Sequence, residues 1–307
     1  MKIDKVNGDL AFNEEQHLYF NTKYPDRKYT SVTTLIGKYH EKFDSDFWSS
    51  YKALEAIMGI DNFKPIKKLL LDFKNFDVVD LGKLGVDLTT FNETKQAILA
   101  SYKLANEEAC ERGTKYHNAK ENALYLSDRV RIEELGFPIP CQGEYLVEKH
   151  NFDLNDEYRV LPEYLVYYSS KDGILNLAGQ IDVLVKDGND IHILDYKTNA
   201  KGMEMNSYFD RKKKKAKMMY YPLSNIEDCM FQHYTLQLSL YAWMLQQINP
   251  NFNIKSLTLL HIDGEGKETT YPVEYIKEDV EKLVKHYKKQ VVIDHHRETG
   301  QILKSNL

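Results

Sequence analysis

The sequence predicts a mixed α/β (α+β) fold in which helices flank a mixed central sheet. Three observations predict it. From residue 100 the elements run helix, three strands, helix, strand, helix. Turn chemistry separates the strands, at Lys171-Asp-Gly173 and Asp187-Gly-Asn189. Terminators close the later elements, Asn249-Pro250 after a helix and Asp263-Gly264 after a strand.

The N-terminal segment holds two strand-like runs, His17-Leu-Tyr-Phe20 and Tyr29-Thr-Ser-Val-Thr-Thr-Leu-Ile36. The turn-like Lys23-Tyr-Pro-Asp-Arg27 between them predicts a hairpin. Asp44 to Met58 reads as a helix, with Phe47, Trp48, Tyr51, Leu54 and Ile57 near a 3.6 period. Residues 59–88 read as irregular with short helical pieces. Thr90-Phe-Asn-Glu93 looks like a capping box that opens a long helical region to about Leu126. On it His117 and Glu121, four apart, share a face. Residues 129–152 are mixed, broken at Phe137-Pro-Ile-Pro140. Arg159–Tyr168, Leu175–Val185 and Asp190–Lys197 then form a meander. Ile226–Ile248 is a strong helix, Ser256–Ile262 a fourth strand, and Glu274–His295 a final amphipathic helix. The expected organisation is residues 1–99 as an N-terminal hairpin and helical elaboration packed on a core of residues 100–307.

The chain has 307 residues, 28% charged and 42% hydrophobic, enough for a substantial core. No stretch is long and apolar enough for a membrane span, and Met1-Lys-Ile-Asp-Lys-Val6 has no secretory character. A cytoplasmic protein without a membrane partner is therefore expected. Cys110, Cys141 and Cys229 are far apart and outside any CxxC spacing, so they read as reduced thiols. The net charge of −5 argues against a protein that coats nucleic acid, but a metal site needs only local carboxylates and phosphate binding only a local basic groove. The 22 tyrosines read mainly as core and rim.

The chemistry concentrates in Gly179-Gln-Ile-Asp182 and Asp195-Tyr-Lys197. By alternation, Ile191, Ile193, Asp195 and Lys197 share one strand face, and Asp182 lies opposite to Ile181 and Val183. Pairing of the two strands brings Asp182 and Asp195 to one pocket. Mg²⁺ takes one or two carboxylates and keeps waters, and a water on such an ion is easier to deprotonate. Lys197 can orient that water or stabilise a phosphorane-like transition state. Singly, such residues are solvated strand-end charges. Here they close an apolar strand and interrupt an apolar run, where an unpaired charge is costly. His117 reads either as a histidine in an ordinary hydrogen bond or as a third ligand, which would extend the site toward Mn²⁺. Gln237 and Tyr241, four apart, read as a helix rim or as a pair that orients the lysine. Arg211, Lys212, Lys213, Lys214, Lys215 and Lys217 read as a solvated loop or as a guide for a phosphate backbone.

The ordered set Gly113-x-x-x-His117, Glu163, Gly179-x-x-Asp182, Asp195-x-Lys197 and Gln237-x-x-x-Tyr241 resembles the PD-(D/E)XK nuclease superfamily. Within it the pattern is similar to the branch of RecB-like, CRISPR-adaptation and mitochondrial genome maintenance exonucleases, including phage-type members. The resemblance implies a restriction-endonuclease-like core. It makes His117, Asp182, Asp195, the Tyr196 carbonyl and Glu163 candidate metal ligands, and Lys197 the catalytic lysine. Gln237 and Tyr241 become the helix motif that contacts the active site or DNA. It further implies Mg²⁺ or Mn²⁺, a DNA substrate that is single-stranded or has free ends, and a role in phage or bacterial recombination, repair or genome processing. Some members hold an iron–sulfur cluster on four cysteines; three scattered cysteines cannot supply that set, so none is expected. An endonuclease on the same core and a non-catalytic DNA-binding relative remain the alternatives.

Overall fold

The computed structural model describes residues 5–24, 27–137, 143–148, 154–210 and 215–300. The chain divides into two compact units, Met1–Glu41 with Lys115–Leu307, and Lys42–Thr114.

The chain opens with β1 (Lys5–Asn7), β2 (Leu10–Asn13) and β3 (Leu18–Asn21), an antiparallel sheet of their own. β3 pairs with β2 in front of it, and the expected hairpin is present as a short antiparallel contact: Phe20 bridges Lys28, the Asn21 N–H donates to the Arg27 carbonyl and the Tyr29 N–H to the Tyr19 carbonyl, each at 3.1 Å. The run 29–36 divides into β4 (Thr30–Ser31) and α1 (Val32–Ile36). The cause is local. Ser31 accepts a hydrogen bond from the Thr34 N–H at 3.0 Å, and this N-cap turns a β-branched run into a helix.

The second unit is helical. α2 (Ser45–Phe73) starts at Asp44, whose carboxylate accepts from the Phe47 N–H at 2.9 Å. It continues through residues expected to be irregular. Its break at Gly59, with φ 74° and ψ 159°, lies in a region open essentially to glycine alone. α3 (Leu88–Leu126) runs unbroken for 39 residues. Asp87, rather than Thr90, caps it, accepting from the Thr90 N–H and hydroxyl at 2.8 and 2.9 Å. Phe47, Tyr51, Leu54, Phe63, Leu70 and Phe91 form this unit's core.

The first unit carries the main sheet. Its strands continue as β5 (Arg129–Arg131), β6 (Glu144–Val147), β7 (Tyr158–Ser169), β8 (Asn176–Asp187) and β9 (Asp190–Lys197). A small ribbon follows, β10 (Phe209–Asp210) with β11 (Lys215–Ala216), then α4 (Met230–Ile248), β12 (Asn253–Ile262), β13 (Glu268–Val273) and α5 (Lys277–Thr299). The order across the sheet is β13-β12-β9-β8-β7-β6-β5, with β4 beside β8. The meander β7-β8-β9 is antiparallel as expected, while β12 lies parallel to β9. β13 was not expected: its alternation of exposed and half-buried residues carries little apolar signal. α4 begins four residues later than its pattern suggested, because Ile226 belongs to the turn beforehand.

The two faces of the sheet bury different cores. One holds Leu161, Tyr164, Leu184, Ile193, Leu236 and Leu240, with α1, α4 and α5 supplying the cover. The other holds Val160, Val183, Val185, Leu194 and Tyr196 with Leu124 and Tyr116 of α3. This is the helix-flanked mixed sheet that the element order predicted.

Gly59→Ala meets no neighbour, since nothing lies within 4 Å of its new Cβ. The substitution still forces an alanine into the glycine-only region, so a loss of roughly 1–3 kcal/mol is expected. Urea unfolding checks it; unchanged stability would show that the α2 bend does not depend on this residue.

Candidate functional site

β8 and β9 pair down to Val183 opposite Leu194, and the next pair in that register is Asp182 opposite Asp195. Here the ladder is closed by a side chain. Asp182 Oδ2 accepts from the Tyr196 N–H at 2.6 Å. Asp182 Oδ1 lies 3.5 Å from His117 Nδ1 on α3.

The pleat changes phase at this level. Ile181 and Leu184 join the α4-side core, whereas Val183 joins the α3-side core. Ile181 and Val183 therefore do not share a face, against simple alternation. The partner strand does the same: Leu161 and Tyr164 both join the α4-side core. Between them Glu163 adopts φ 54°, an uncommon backbone for a side-chain-bearing residue. Such outliers gather at functional sites, where the surroundings hold them in place.

The phase change gathers three donors. Ligand atoms of His117, Glu163 and Asp182 all lie within 4.8 Å of one another. One imidazole and two carboxylates, with Asp182 Oδ1 turned to the histidine, suit a divalent cation. Asp195, close enough for its charge to act on Asp182 and His117, also meets α4. Gln237 Nε2 donates to Asp195 Oδ1 at 3.3 Å and to the Tyr241 hydroxyl at 2.9 Å. Lys197 pairs with Asp195 Oδ2 and lies 4.6 Å above the Tyr234 ring.

Protonation follows from this crowding. Burial pulls the His117 imidazole down, but the hydrogen bond and charge of Asp182, helped by Asp195 and Glu163, outweigh it and raise it to about 9. Burial, together with the Asp182 charge, pushes Glu163 up to about 8. Asp195 is raised to about 6 by burial, against the pull of Lys197. Burial lowers Lys197, yet the Asp195 and Asp182 charges raise it above its ordinary value, so it stays an ammonium.

Sequence reasoning missed Lys5. From β1 its ammonium reaches Glu163 at 3.2 Å, Glu14 at 3.5 Å and Glu121 at 3.9 Å. The N-terminal strands are fixed on the sheet by Asn7 Nδ2 donating to the Leu165 carbonyl at 2.6 Å and by packing of Leu10, Phe12 and Tyr19 with Leu165 and Ala178. The one signal for this cluster was Glu121, on the face of α3 that carries His117.

Gly179 has a packing role. A Cβ there would sit 2.3 Å from Cε1 of Tyr241. In the basic run, Arg211, Lys212, Lys213 and Lys214 lie outside the described residues, and Lys215 is exposed. Lys217 is paired with Asp228 at 2.7 Å and Glu41 at 3.0 Å. Cys110 is exposed and Cys229 buried; Cys141 lies outside the described residues. Among the described residues no helix is long and apolar enough to cross a membrane.

A model of the PD-(D/E)XK nuclease superfamily matches residues 91–302, more than half of the chain, and the chain belongs to that superfamily. Among solved structures it is similar to a protein from Eubacterium rectale described as a "putative exonuclease", at 11% identity over 90% of this chain and 84% of the other, with a TM-score of 0.32. It is also similar to SSO0001, at 14% identity over 43% of this chain, with a TM-score of 0.25. It spans 50% of that chain's length. No curated protein matches.

Two outcomes are expected of this geometry. Gly179→Ala displaces the Tyr241 ring and costs roughly 1–3 kcal/mol by overpacking, read from the denaturant midpoint. The second concerns metal. Glu163 and His117 are raised from 4.5 and 6.5 to about 8 and about 9, so they contribute stability present at low pH and lost as pH rises through those values. A divalent cation held by these groups would take the place of the retained protons. The Tm gain from Mn²⁺ should therefore be larger at pH 8.5 than at pH 6, and an equal gain at both would contradict the assignment of these ligands.

Proposed function

We propose that this chain is a metal-dependent deoxyribonuclease that hydrolyses phosphodiester bonds from free DNA ends. One observation carries the reading: two adjacent strands bring Asp182, Asp195 and a charged Lys197 to one place, beside a histidine and a third buried carboxylate. Superfamily membership supports hydrolysis of nucleic acid.

In this reading His117, Asp182 and Glu163 hold Mg²⁺ or Mn²⁺, joined by Asp195 and the Tyr196 carbonyl. When bound, the ion supplies Lewis-acid polarisation of the phosphodiester and of water. Lys197 acts as a cation. Its carboxylate neighbours keep it protonated, so it stabilises charge on the phosphoryl oxygens instead of removing a proton. Gln237 is a positioning residue. It fixes Asp195 and is itself fixed by Tyr241, which excludes other rotamers of the carboxylate. Lys215 and the flanking basic residues 211–214 draw in the DNA backbone. A free end as substrate, and work in phage or bacterial recombination, repair or genome processing, rest on the resemblance to the exonuclease branch.

Lys197→Met should lower kcat by roughly 10²–10³, the scale for losing one charge-stabilising donor, with DNA binding retained. A time course on end-labelled linear and circular DNA, single- and double-stranded, with Mg²⁺ or Mn²⁺, tests the rest. Linear DNA should be shortened and circles left intact. Cleavage of circles would identify an endonuclease. Absence of hydrolysis with either metal would leave a non-catalytic DNA-binding protein.

A further inference from the structure

Among the described residues, one cluster of ligating side chains lies outside the site above: His40, Asp228 and His233, with ligand atoms all within 4.8 Å of one another. His40 follows α1, Asp228 precedes α4, and His233 lies in its first turn. Two of the three donors are held from behind. His40 Nδ1 lies 3.1 Å from the Glu41 carbonyl. Donation to it leaves the lone pair of the neutral ring on Nε2. Asp228, with a side chain only 4% exposed, turns Oδ1 to His233 Nε2 at 2.9 Å and Oδ2 to Lys217 at 2.7 Å. Lys217 is held in turn by Glu41 at 3.0 Å.

We infer that His40, Asp228 and His233 form a second metal site, of the class that takes Zn²⁺. Two imidazoles and one carboxylate are a borderline donor set, suited to Zn²⁺ and poorly suited to Mg²⁺, which prefers oxygen. Three protein ligands leave a fourth tetrahedral position for water. The 2.9 Å between Asp228 Oδ1 and His233 Nε2 is close to the roughly 3.3 Å between two ligand atoms of a tetrahedral ion with bonds of about 2.0 Å. The rings of His40 and His233 stack at 4.2 Å with planes 26° apart. Binding in the plane of both rings therefore turns one of them out of the stack. The ligands come from distant parts of the sequence, so the ion ties the turn after α1 to the start of α4. This site is independent of the nuclease reading.

Co²⁺ is the probe, because a four-coordinate site gives it intense visible bands. Titration of the full-length, metal-free protein should give these bands at one equivalent, and Zn²⁺ should displace them. His233→Ala and the milder His40→Gln should abolish them, while Asp182→Asn should leave them in place. Thermal unfolding in chelator identifies any variant that fails to fold, and the other variant then decides. A spectrum with only the weak bands of six-coordinate cobalt would overturn the inference. So would bands that survive His40→Gln and vanish in Asp182→Asn, since these place the ion at the other site.

Discussion

The hydrogen bond from the Tyr196 N–H to Asp182 Oδ2 is the contact on which the rest of the site depends. Two antiparallel strands ordinarily continue their ladder with carbonyl acceptors. Here a carboxylate replaces the carbonyl at the end of the β8–β9 pairing. A charge-assisted bond of this kind is roughly twice as strong as a neutral one. It fixes Asp182 relative to the strand that carries Asp195 and Lys197. It also leaves the other oxygen of Asp182 to His117. The geometry of the candidate site is thus built into the sheet rather than hung on a loop, and removing the carboxylate would open the end of the strand pair.

Electrostatics sets what this geometry does. Glu163, Asp182 and Asp195 are buried together, and two lysines and a histidine oppose them. Burying charge is costly unless it is paired, and the metal-free site relieves that cost by retaining protons on Glu163 and His117 into the alkaline range. A site that holds protons so tightly has an excess of negative charge available to a divalent ion. Lys5 limits that excess on the Glu163 side and Lys197 on the Asp195 side. The overall charge of −5 reveals none of this, because the relevant field is local.

The sheet was legible where side-chain alternation and turn dipeptides coincide, as in the meander from Arg159 to Lys197. Asp182, Asp195 and Lys197 could be placed together because a tight turn fixes the register of β8 on β9. Other features were hidden for identifiable reasons. α1 depends on one capping hydroxyl, Ser31, within a β-branched run. The phase change at Glu163 depends on one backbone torsion, which no periodicity encodes. Lys5 reaches its partner across 158 residues, on a strand of three. Local pattern carries information about local structure, and these contacts are long-range.

α4 shows how such contacts are held. Every residue from Thr235 to Leu245 is buried, so the helix has no freedom to rotate about its axis. Its polar groups must then find partners inside: Gln237 takes Asp195 and Tyr241, Thr235 takes the Phe231 carbonyl, and Ser239 takes the Glu274 carbonyl. A helix locked in this way projects His233, Gln237 and Tyr241, four residues apart, along one line. Gln237 meets Asp195 on the lysine-bearing strand, Tyr241 lies against Gly179 of β8, and His233 meets Asp228 one turn earlier. The same constraint therefore serves both clusters. It orients the oxygen-rich site, suited to a hard cation, and the imidazole-rich site, suited to a softer one, from a single rigid element.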